Sequence, residues 1–303
     1  MKMNIYTGLL LTCLVTVCAG AGDSTYDYNS LGSDWPNSYP ICGQKRQSPV
    51  DIKGANCSQT LKNSITFTNY DQKGSVPFDF QNSGHSVVLT LTSTGAKIKL
   101  DSLGTFSLVQ LHFHWGKDNK NGSEHTVEGK AYPAEMHLVH KNDKYEKLGD
   151  ALKKGDGLAV LGVFIKVGNK NPAYEDFLNK TSSIIKSGKS TTVEQFAIET
   201  LLPENVNSFY RYLGSLTTPG CAEAVIWTVF KQEIELDEDQ LNQFRILKDS
   251  KNKTLVDNYR VVQDLYNRTI THWDEDCPDT DGAEAIAASI FSLLLSFLLF
   301  TLN

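Results

Sequence analysis

The chain has 303 residues, of which 40% are hydrophobic and 21% are charged, with 29 lysines and arginines against 35 aspartates and glutamates. These are the proportions of a globular protein with enough apolar side chains for one sizeable core. The net charge of −6 is spread along the sequence without a long basic block, which argues against a nucleic-acid-binding protein.

The first 21 residues have the pattern of a secretory signal peptide. A basic residue at position 2 precedes an apolar run over 9–17, and small residues follow at 19–21. This order of parts is typical of a cleaved signal, whereas a buried N-terminal helix would have a polar face. We therefore predict that residues 1–21 are a signal peptide and that the chain enters the secretory pathway.

Strand patterns dominate the central part of the chain. Eight runs alternate in polarity or are rich in β-branched and aromatic residues, with turn residues between them. The run over 158–167 is almost continuously apolar, as expected of a central strand that is covered on both faces. The predicted strands are 65–69, 76–81, 86–93, 96–100, 105–115, 134–140, 158–167 and 224–230.

Two segments have helical patterns. Segment 172–187 places Pro172 in its first turn, and segment 237–248 has acidic residues in its first turn and apolar residues at helical intervals. No repeat or linker divides the region between the two ends of the sequence. We therefore predict one mainly β (α+β) domain over 22–277, with a large, mostly antiparallel twisted sheet and a few short peripheral helices.

Residues 278–303 contain a second apolar run, over 286–302, that no lysine or arginine follows. Small and acidic residues followed by an apolar tail are typical of a GPI-attachment signal. A transmembrane anchor is the alternative, but that kind of anchor usually has a basic cytosolic flank. The pattern favours attachment to the outer leaflet of the membrane at the cell surface.

Four cysteines lie outside the signal peptide, and they allow three disulfide pairings. None of them stands in a CxxC motif, so the sequence gives no support to a zinc ribbon or a thioredoxin-type site. Five Asn-x-Ser/Thr sequons fit a glycosylated protein of the secretory pathway. Their asparagines are Asn56, Asn121, Asn179, Asn252 and Asn267.

The strongest chemical signal is a pair of histidines on one predicted strand. His112 and His114 are two residues apart, so they lie on the same face of the strand and can reach one metal ion. His137 lies on another predicted strand and supplies a third imidazole. Three histidines with an open fourth position are typical of a catalytic zinc site, whereas structural sites fill all four positions.

Two of the three histidines have a neighbour on their own strand face that could accept a hydrogen bond. Gln110 stands two residues before His112, and Glu135 stands two residues before His137. An amide or carboxylate oxygen in this position can accept the second N–H of a ligand histidine and fix its orientation. The pattern therefore favours a metal site over separate polar histidines in a sheet.

These motifs resemble those of the α-class carbonic anhydrases, in the extracellular, membrane-bound type. The resemblance covers residues 26–272 in order and without large gaps. It is carried by segments 46–52, 110–116, 122–127, 134–140, 158–162, 214–219 and 258–260 together with Gln263. It implies a zinc enzyme that reversibly hydrates carbon dioxide to bicarbonate and a proton, by attack of zinc-bound hydroxide.

The resemblance also implies roles for residues outside the metal ligands. Thr217 accepts the hydroxide proton and passes its own hydroxyl proton to Glu124, and His85 shuttles the product proton to solvent. Tyr28 matches a tyrosine that helps order the intervening waters. The implied substrate-binding wall consists of Val139, Val160, Leu216, Thr217, Thr218, Val225 and Trp227.

For the cysteines, the resemblance implies that Cys42 pairs with Cys221, and we expect Cys57 to pair with Cys277. It implies structural roles for His125 and His140, and we expect His272 at the surface. The implied cofactor is Zn²⁺, and the implied partners are carbon dioxide, bicarbonate and water. Composition does not determine the oligomeric state, for which we expect a monomer.

Three alternatives compete with this interpretation. A carbonic-anhydrase-like binding module without activity would have lost ligands, whereas this sequence keeps the three histidines, Thr217 and Glu124. A different zinc hydrolase is disfavoured because no HExxH motif is present. A matrix protein that supplies bicarbonate for mineral deposition would use the same chemistry, so the sequence does not separate that role from pH regulation or gas exchange.

Overall fold

The computed structural model describes residues 26–278. The predicted signal peptide and the predicted C-terminal tail after residue 278 therefore lie outside the described residues. None of the helices within 26–278 combines the length and apolar character needed to cross a bilayer.

A 13-stranded sheet forms the centre of the described region, and a second sheet contains two parallel strands, β1 and β8. The strands are β1 (Asp51–Ile52), β2 (Asn56–Cys57), β3 (Thr66–Thr68), β4 (Phe78–Asn82), β5 (Val87–Thr90), β6 (Lys97–Lys99), β7 (Thr105–Trp115), β8 (Thr126–Val127), β9 (Ala134–Asn142), β10 (Leu158–Val167), β11 (Ser190–Val193), β12 (Phe209–Gly214), β13 (Val225–Phe230), β14 (Ile234–Leu236) and β15 (Thr271–Trp273).

The main path of the large sheet runs β11-β4-β5-β7-β9-β10-β13-β12-β15-β2. Its described ladders are antiparallel except for β10 with β13 and β14, and β15 with β2. The prediction of one domain on a large, mostly antiparallel sheet is confirmed.

Helices are short and lie outside the sheet. The α-helices are α1 (Leu148–Ala151), α2 (Glu175–Leu178) and α3 (Glu238–Arg245), and the 3₁₀ turns are Trp35–Asn37, Pro40–Gly43, Gln59–Leu61, Thr92–Thr94, Asp101–Leu103, Pro172–Tyr174, Thr181–Ser183 and Ile198–Leu201. The predicted helix over 237–248 is confirmed as α3, where Asp237 and Gln240 form a capping box.

The predicted single helix over 172–187 was wrong. The segment forms a 3₁₀ turn, the one-turn helix α2 and a second 3₁₀ turn that ends at Ser183. The Thr181 hydroxyl donates to the Leu178 carbonyl at 2.6 Å, and serine and isoleucine residues follow it. Local hydroxyl bonds and β-branched side chains disfavour the continuation of a helix, so the segment breaks here.

The two faces of the large sheet are packed differently. Alternate residues of β7, namely Leu111, Phe113 and Trp115, belong to the larger apolar cluster. On the opposite face a smaller cluster contains Val139 and Trp227, among others. The candidate site lies on this second face.

Candidate metal centre

The histidines meet because β7 and β9 are antiparallel neighbours. In their register His112 lies directly opposite His137, and His114 lies opposite Glu135. The ring centroids of His112 and His137 are 5.2 Å apart, and those of His114 and His137 are 4.7 Å apart. The strand alternation predicted from the sequence therefore brings the three imidazoles together.

One nitrogen of each imidazole is bound to an oxygen acceptor. His112 donates from Nδ1 to Gln110 Oε1 at 3.0 Å, and His137 donates from Nε2 to Glu135 Oε1 at 2.7 Å. His114 donates from Nδ1 to the backbone carbonyl of Asn258 at 2.7 Å. These bonds leave Nε2 of His112, Nε2 of His114 and Nδ1 of His137 with a lone pair.

The three histidines offer ligand atoms that lie within 4.8 Å of one another. The buried Nε2 of His114 has no hydrogen-bond partner among residues 26–278, which fits an atom that is made to bind a metal. Burial, and to a lesser degree the neighbouring imidazoles, lowers the pKa of His112 and His114. Neutral imidazole is the form that coordinates zinc, so this donor set fits Zn²⁺.

Glu135 holds a buried negative charge beside this centre. Burial acts to raise its pKa, but the electrostatic interactions and hydrogen bonds with His125 and His137 outweigh burial and hold the pKa well below its usual range. The carboxylate is therefore ionised and accepts a hydrogen bond from His137 Nε2–H. This contact was predicted from the two-residue spacing.

Glu124 and Thr217 form a second polar pair near the histidines. Glu124 Oε2 lies 3.4 Å from His114 Nε2, and Glu124 Oε1 accepts the Arg260 backbone N–H at 2.8 Å. Burial raises the pKa of Glu124 well above its usual range, and hydrogen bonds from Thr217 and Arg260 oppose that rise. The structure thus places Glu124 beside His114, with Thr217 near enough to influence its carboxyl group.

A small cavity opens above the three histidines. Its volume is about 30 Å³, which is room for a very small molecule. Its lining combines the histidines, two threonines and an apolar wall. The lining residues are Tyr26, Tyr28, His85, Ser86, Gln110, His112, His114, His137, Val139, Val160, Leu216, Thr217, Thr218 and Trp227.

The apolar wall follows from sheet register. Val160 on β10 lies between Val139 on β9 and Trp227 on β13, so their side chains share the face that carries His137. Of the predicted wall residues, Val225 is buried in the same apolar cluster but is not among the described residues that line the cavity.

Comparison with known proteins agrees with this geometry. A family model described as eukaryotic-type carbonic anhydrase matches residues 30–273. The chain belongs to this family. Human carbonic anhydrase 6 is 37% identical over 257 residues, which cover 82% of each chain.

Two further relatives support the assignment to the carbonic anhydrase family. Carbonic anhydrase 6 of the dog is 38% identical over 256 residues, covering 81% of this chain and 78% of the relative. Human carbonic anhydrase 12 is 36% identical over 247 residues, covering 78% of this chain and 69% of the relative. The prediction that the chain is an enzyme of the carbonic anhydrase class is confirmed.

His85 lies at the cavity under an aromatic residue that sequence reasoning did not single out. The rings of Tyr26 and His85 are stacked, with centroids 3.9 Å apart and planes 11° apart. Tyr28, which was singled out instead, lies edge-on to His85 at 6.5 Å. Burial lowers the pKa of His85 to about 4, so the imidazole is neutral at physiological pH in this position.

Both expected disulfides are formed. The Cα atoms of Cys42 and Cys221 are 5.0 Å apart, and those of Cys57 and Cys277 are 5.7 Å apart. Cys221 lies in the loop that carries Thr217, and its backbone N–H donates to the Thr218 carbonyl at 2.9 Å. The first disulfide therefore constrains the loop that carries Thr217.

The other histidines are distributed largely as expected. His125 and His140 are buried, and each is bound to other buried groups. His272 was expected at the surface, but its side chain is only 19% exposed, because β15 carries it against Lys231, whose ammonium lies 2.8 Å from its Nδ1. The five sequon asparagines are all exposed, as glycan acceptors must be.

The main contact that sequence reasoning missed is the one from Asn258 to His114. The acceptor is a backbone carbonyl, and every residue type has one, so no side-chain pattern marks it. Asn258 also accepts the backbone N–H of Trp115 through Oδ1 at 2.7 Å. This second bond seats Asn258 beside the end of β7.

Proposed function

We propose that this chain binds one zinc ion through His112 Nε2, His114 Nε2 and His137 Nδ1, and that it catalyses the reversible hydration of carbon dioxide to bicarbonate and a proton. The observation that carries the proposal is the convergence of three neutral imidazoles, each fixed by an acceptor on its other nitrogen. Membership of the carbonic anhydrase family supports it.

Zinc bound at such a centre lets a water molecule lose its proton near neutral pH, as is established for carbonic anhydrase itself. The protein then has to aim the resulting nucleophile. We propose that the Thr217 hydroxyl donates a hydrogen bond to Glu124, whose pKa Thr217 acts to lower, so that the Thr217 oxygen can only accept a hydrogen bond on the cavity side. An acceptor in this position would orient the nucleophile so that a lone pair of its oxygen would face the substrate.

The apolar wall provides the place for carbon dioxide. The cavity next to His137 is lined by Val139, Val160, Leu216 and Trp227. Among their side chains, only the indole N–H could form a hydrogen bond to water. That N–H already donates to the Ser215 carbonyl at 3.0 Å. A small apolar gas therefore displaces water from this wall at little cost.

We propose that His85 removes the product proton. Its place at the cavity beside Tyr26 and Tyr28 supports this role, but a pKa of about 4 makes the stacked imidazole a weak proton acceptor at neutral pH. Proton transfer therefore requires His85 to leave the Tyr26 ring and reach water. In solvent its pKa returns to the ordinary range near 6.5.

We propose that the protein acts at the cell surface. The two disulfides are typical of an oxidising compartment. The sequence patterns of residues 1–21 and 278–303 support export and a GPI anchor, and glycans are proposed on the exposed sequons. Phospholipase treatment of expressing cells should release the protein, whereas a protein that stays in the membrane fraction would have a transmembrane tail.

Hydration of carbon dioxide by the purified protein tests the function directly. We expect rapid acidification of a carbon dioxide solution, loss of this activity after zinc is removed with a chelator, and recovery when zinc is restored. An enzyme that is equally active without zinc, or a zinc-loaded protein that is inactive, would contradict the proposal.

A further inference from the structure

A second group of potential metal ligands lies behind the first. His125, Glu135 and His137 are all buried and offer ligand atoms within 4.8 Å of one another. The group shares His137 with the proposed zinc centre. It is therefore either a second metal site or a support for the first.

The hydrogen bonds of Glu135 decide between these two uses. Oε1 accepts Nε2–H of His137 and Nδ1–H of His125, each at 2.7 Å. Oε2 accepts the backbone N–H groups of Glu124 at 2.9 Å and of His125 at 2.8 Å. A carboxylate has about four lone-pair sites, so this one has no capacity left for a metal ion.

The chain of hydrogen bonds continues beyond His125. Its Nε2 lies 2.7 Å from the hydroxyl oxygen of Tyr212, which is 2% exposed, and Ser48 Oγ lies 2.8 Å from the same hydroxyl. Nδ1 of His125 faces Glu135 and its Nε2 is hydrogen-bonded to the Tyr212 hydroxyl. The ring is therefore held at both nitrogens, and Tyr212 fixes the end that points away from Glu135.

We propose that His125 and Tyr212 are positioning residues for the metal ligand His137, acting through Glu135. The Tyr212 hydroxyl anchors the His125 ring so that its Nδ1–H points at Glu135, and Glu135 in turn keeps the proton of His137 on Nε2. The Nδ1 lone pair of His137 then stays directed at the metal. This inference rests on the proposed zinc site.

The same carboxylate also ties the metal ligand to the Glu124–Thr217 pair, because Glu135 Oε2 holds the backbone N–H of Glu124. Loss of the Tyr212 hydroxyl leaves the buried Nε2 of His125 without its hydrogen-bond partner. The ring then loses its anchor and turns away from its best geometry toward Glu135. The carboxylate, His137 and the Glu124 backbone all lose part of their restraint.

The test is the rate at which zinc leaves the purified full-length protein in the presence of dipicolinate. The variant is Tyr212→Phe, which removes only the hydroxyl. The matched control is Tyr70→Phe, because the Tyr70 hydroxyl is also buried and bound to a histidine, His140, at 2.5 Å. His140 donates from Nδ1 to the Ala159 carbonyl, and its side-chain hydrogen bonds within residues 26–278 go to Tyr70 and Ala159 and not to the proposed ligands.

We expect Tyr212→Phe to release zinc about 10–100-fold faster than the wild type, the range typical of lost support for a ligand histidine. Tyr70→Phe should release it at the wild-type rate, although it too loses a buried hydrogen bond to a histidine. Equal rates for Tyr212→Phe and the wild type, or equal acceleration in both variants, would overturn the inference.

If Tyr212→Phe does not fold, Ser48→Ala takes its place, and we expect a several-fold faster release because it removes the outer hydroxyl of the chain. An unchanged rate in Ser48→Ala would then contradict the inference. A wild type that binds no zinc would instead refute the proposed function itself, so the two failures are distinguishable.

Discussion

Tyr26 determines the environment of His85. The tyrosine ring covers the imidazole face to face, and burial lowers the pKa of His85 to about 4. The lowered pKa means that the folded protein disfavours the protonated imidazole in this position. Any change that uncovers the ring should return its pKa toward 6.5.

We expect Tyr26→Ala to raise the pKa of His85 to about 6, because water regains access to the imidazole. Tyr26→Phe keeps the covering ring and should leave the pKa near 4. An NMR titration of the His85 ring protons measures both values. A pKa that stays near 4 in Tyr26→Ala would show that other groups bury His85.

Thr217 offers a second test at the residue scale. Thr217→Val keeps the shape but removes the hydroxyl that we propose donates to Glu124. We expect kcat/KM for carbon dioxide hydration to fall roughly 100-fold, the size typical of one lost positioned hydrogen bond, with zinc content unchanged. Thr181→Val, which also removes a buried hydroxyl, should keep full activity.

At the scale of elements, α3 supports the strand that carries two of the proposed ligands. Phe244 on α3 packs against Trp115 with ring centroids 5.2 Å apart, and against Phe113 at 4.9 Å. These two aromatic residues occupy the face of β7 opposite His112 and His114. Helix α3 therefore packs on the core-facing side of β7, opposite the face that carries His112 and His114.

We expect Phe244→Ala to lower the free energy of unfolding by about 3–5 kcal/mol, because it opens a cavity in this contact. Ile246, two residues later, is 38% exposed, so Ile246→Ala should change stability by less than about 0.5 kcal/mol. Urea denaturation of both variants measures the difference. Equal losses of stability in the two variants would show that Phe244 contributes no more to the free energy of unfolding than an exposed side chain.

The elements that the sequence predicted best are the long central strands. The bounds of β7 and β10 agree with prediction, because their length and apolar content leave one solution. The predicted strand at 76–81 begins instead at Phe78, since Pro77 lacks the N–H that a ladder requires. Strand β12 was missed, although its aromatic residues favour a strand.

The candidate site was predictable where side chains alternate on a strand, and not where loops supply contacts. Spacing alone related Gln110 to His112 and Glu135 to His137. The Asn258 carbonyl contacts His114, and the Tyr26 ring contacts His85, although each pair is far apart in the sequence. Their positions depend on tertiary packing, which residue patterns do not encode.

For the whole molecule, buried neutral histidines make stability depend on pH. Burial lowers the pKa of His140 to about 3, whereas an unfolded histidine titrates near 6.5. Between these values the unfolded chain binds more protons than the folded one. The free energy of unfolding is therefore not reduced by His140 above pH 6.5, and it declines as the pH falls from 6.5 toward 3.

We expect the zinc-free protein to show a falling free energy of unfolding from pH 6.5 to pH 4.5 in urea titrations. His140→Gln removes one of the groups that take up protons on unfolding, so its slope over this range should be shallower. An identical slope in the variant would contradict the assignment of this linkage to His140.

The central claim is that His112, His114 and His137 form a zinc centre on which activity depends. The zinc content and carbon dioxide hydration rate of purified His114→Ala test it most directly, with His272→Ala as a control outside the centre. We expect one zinc per chain and full activity in the wild type and in His272→Ala, and loss of both in His114→Ala. A His114→Ala protein that keeps stoichiometric zinc and wild-type activity would contradict the claim.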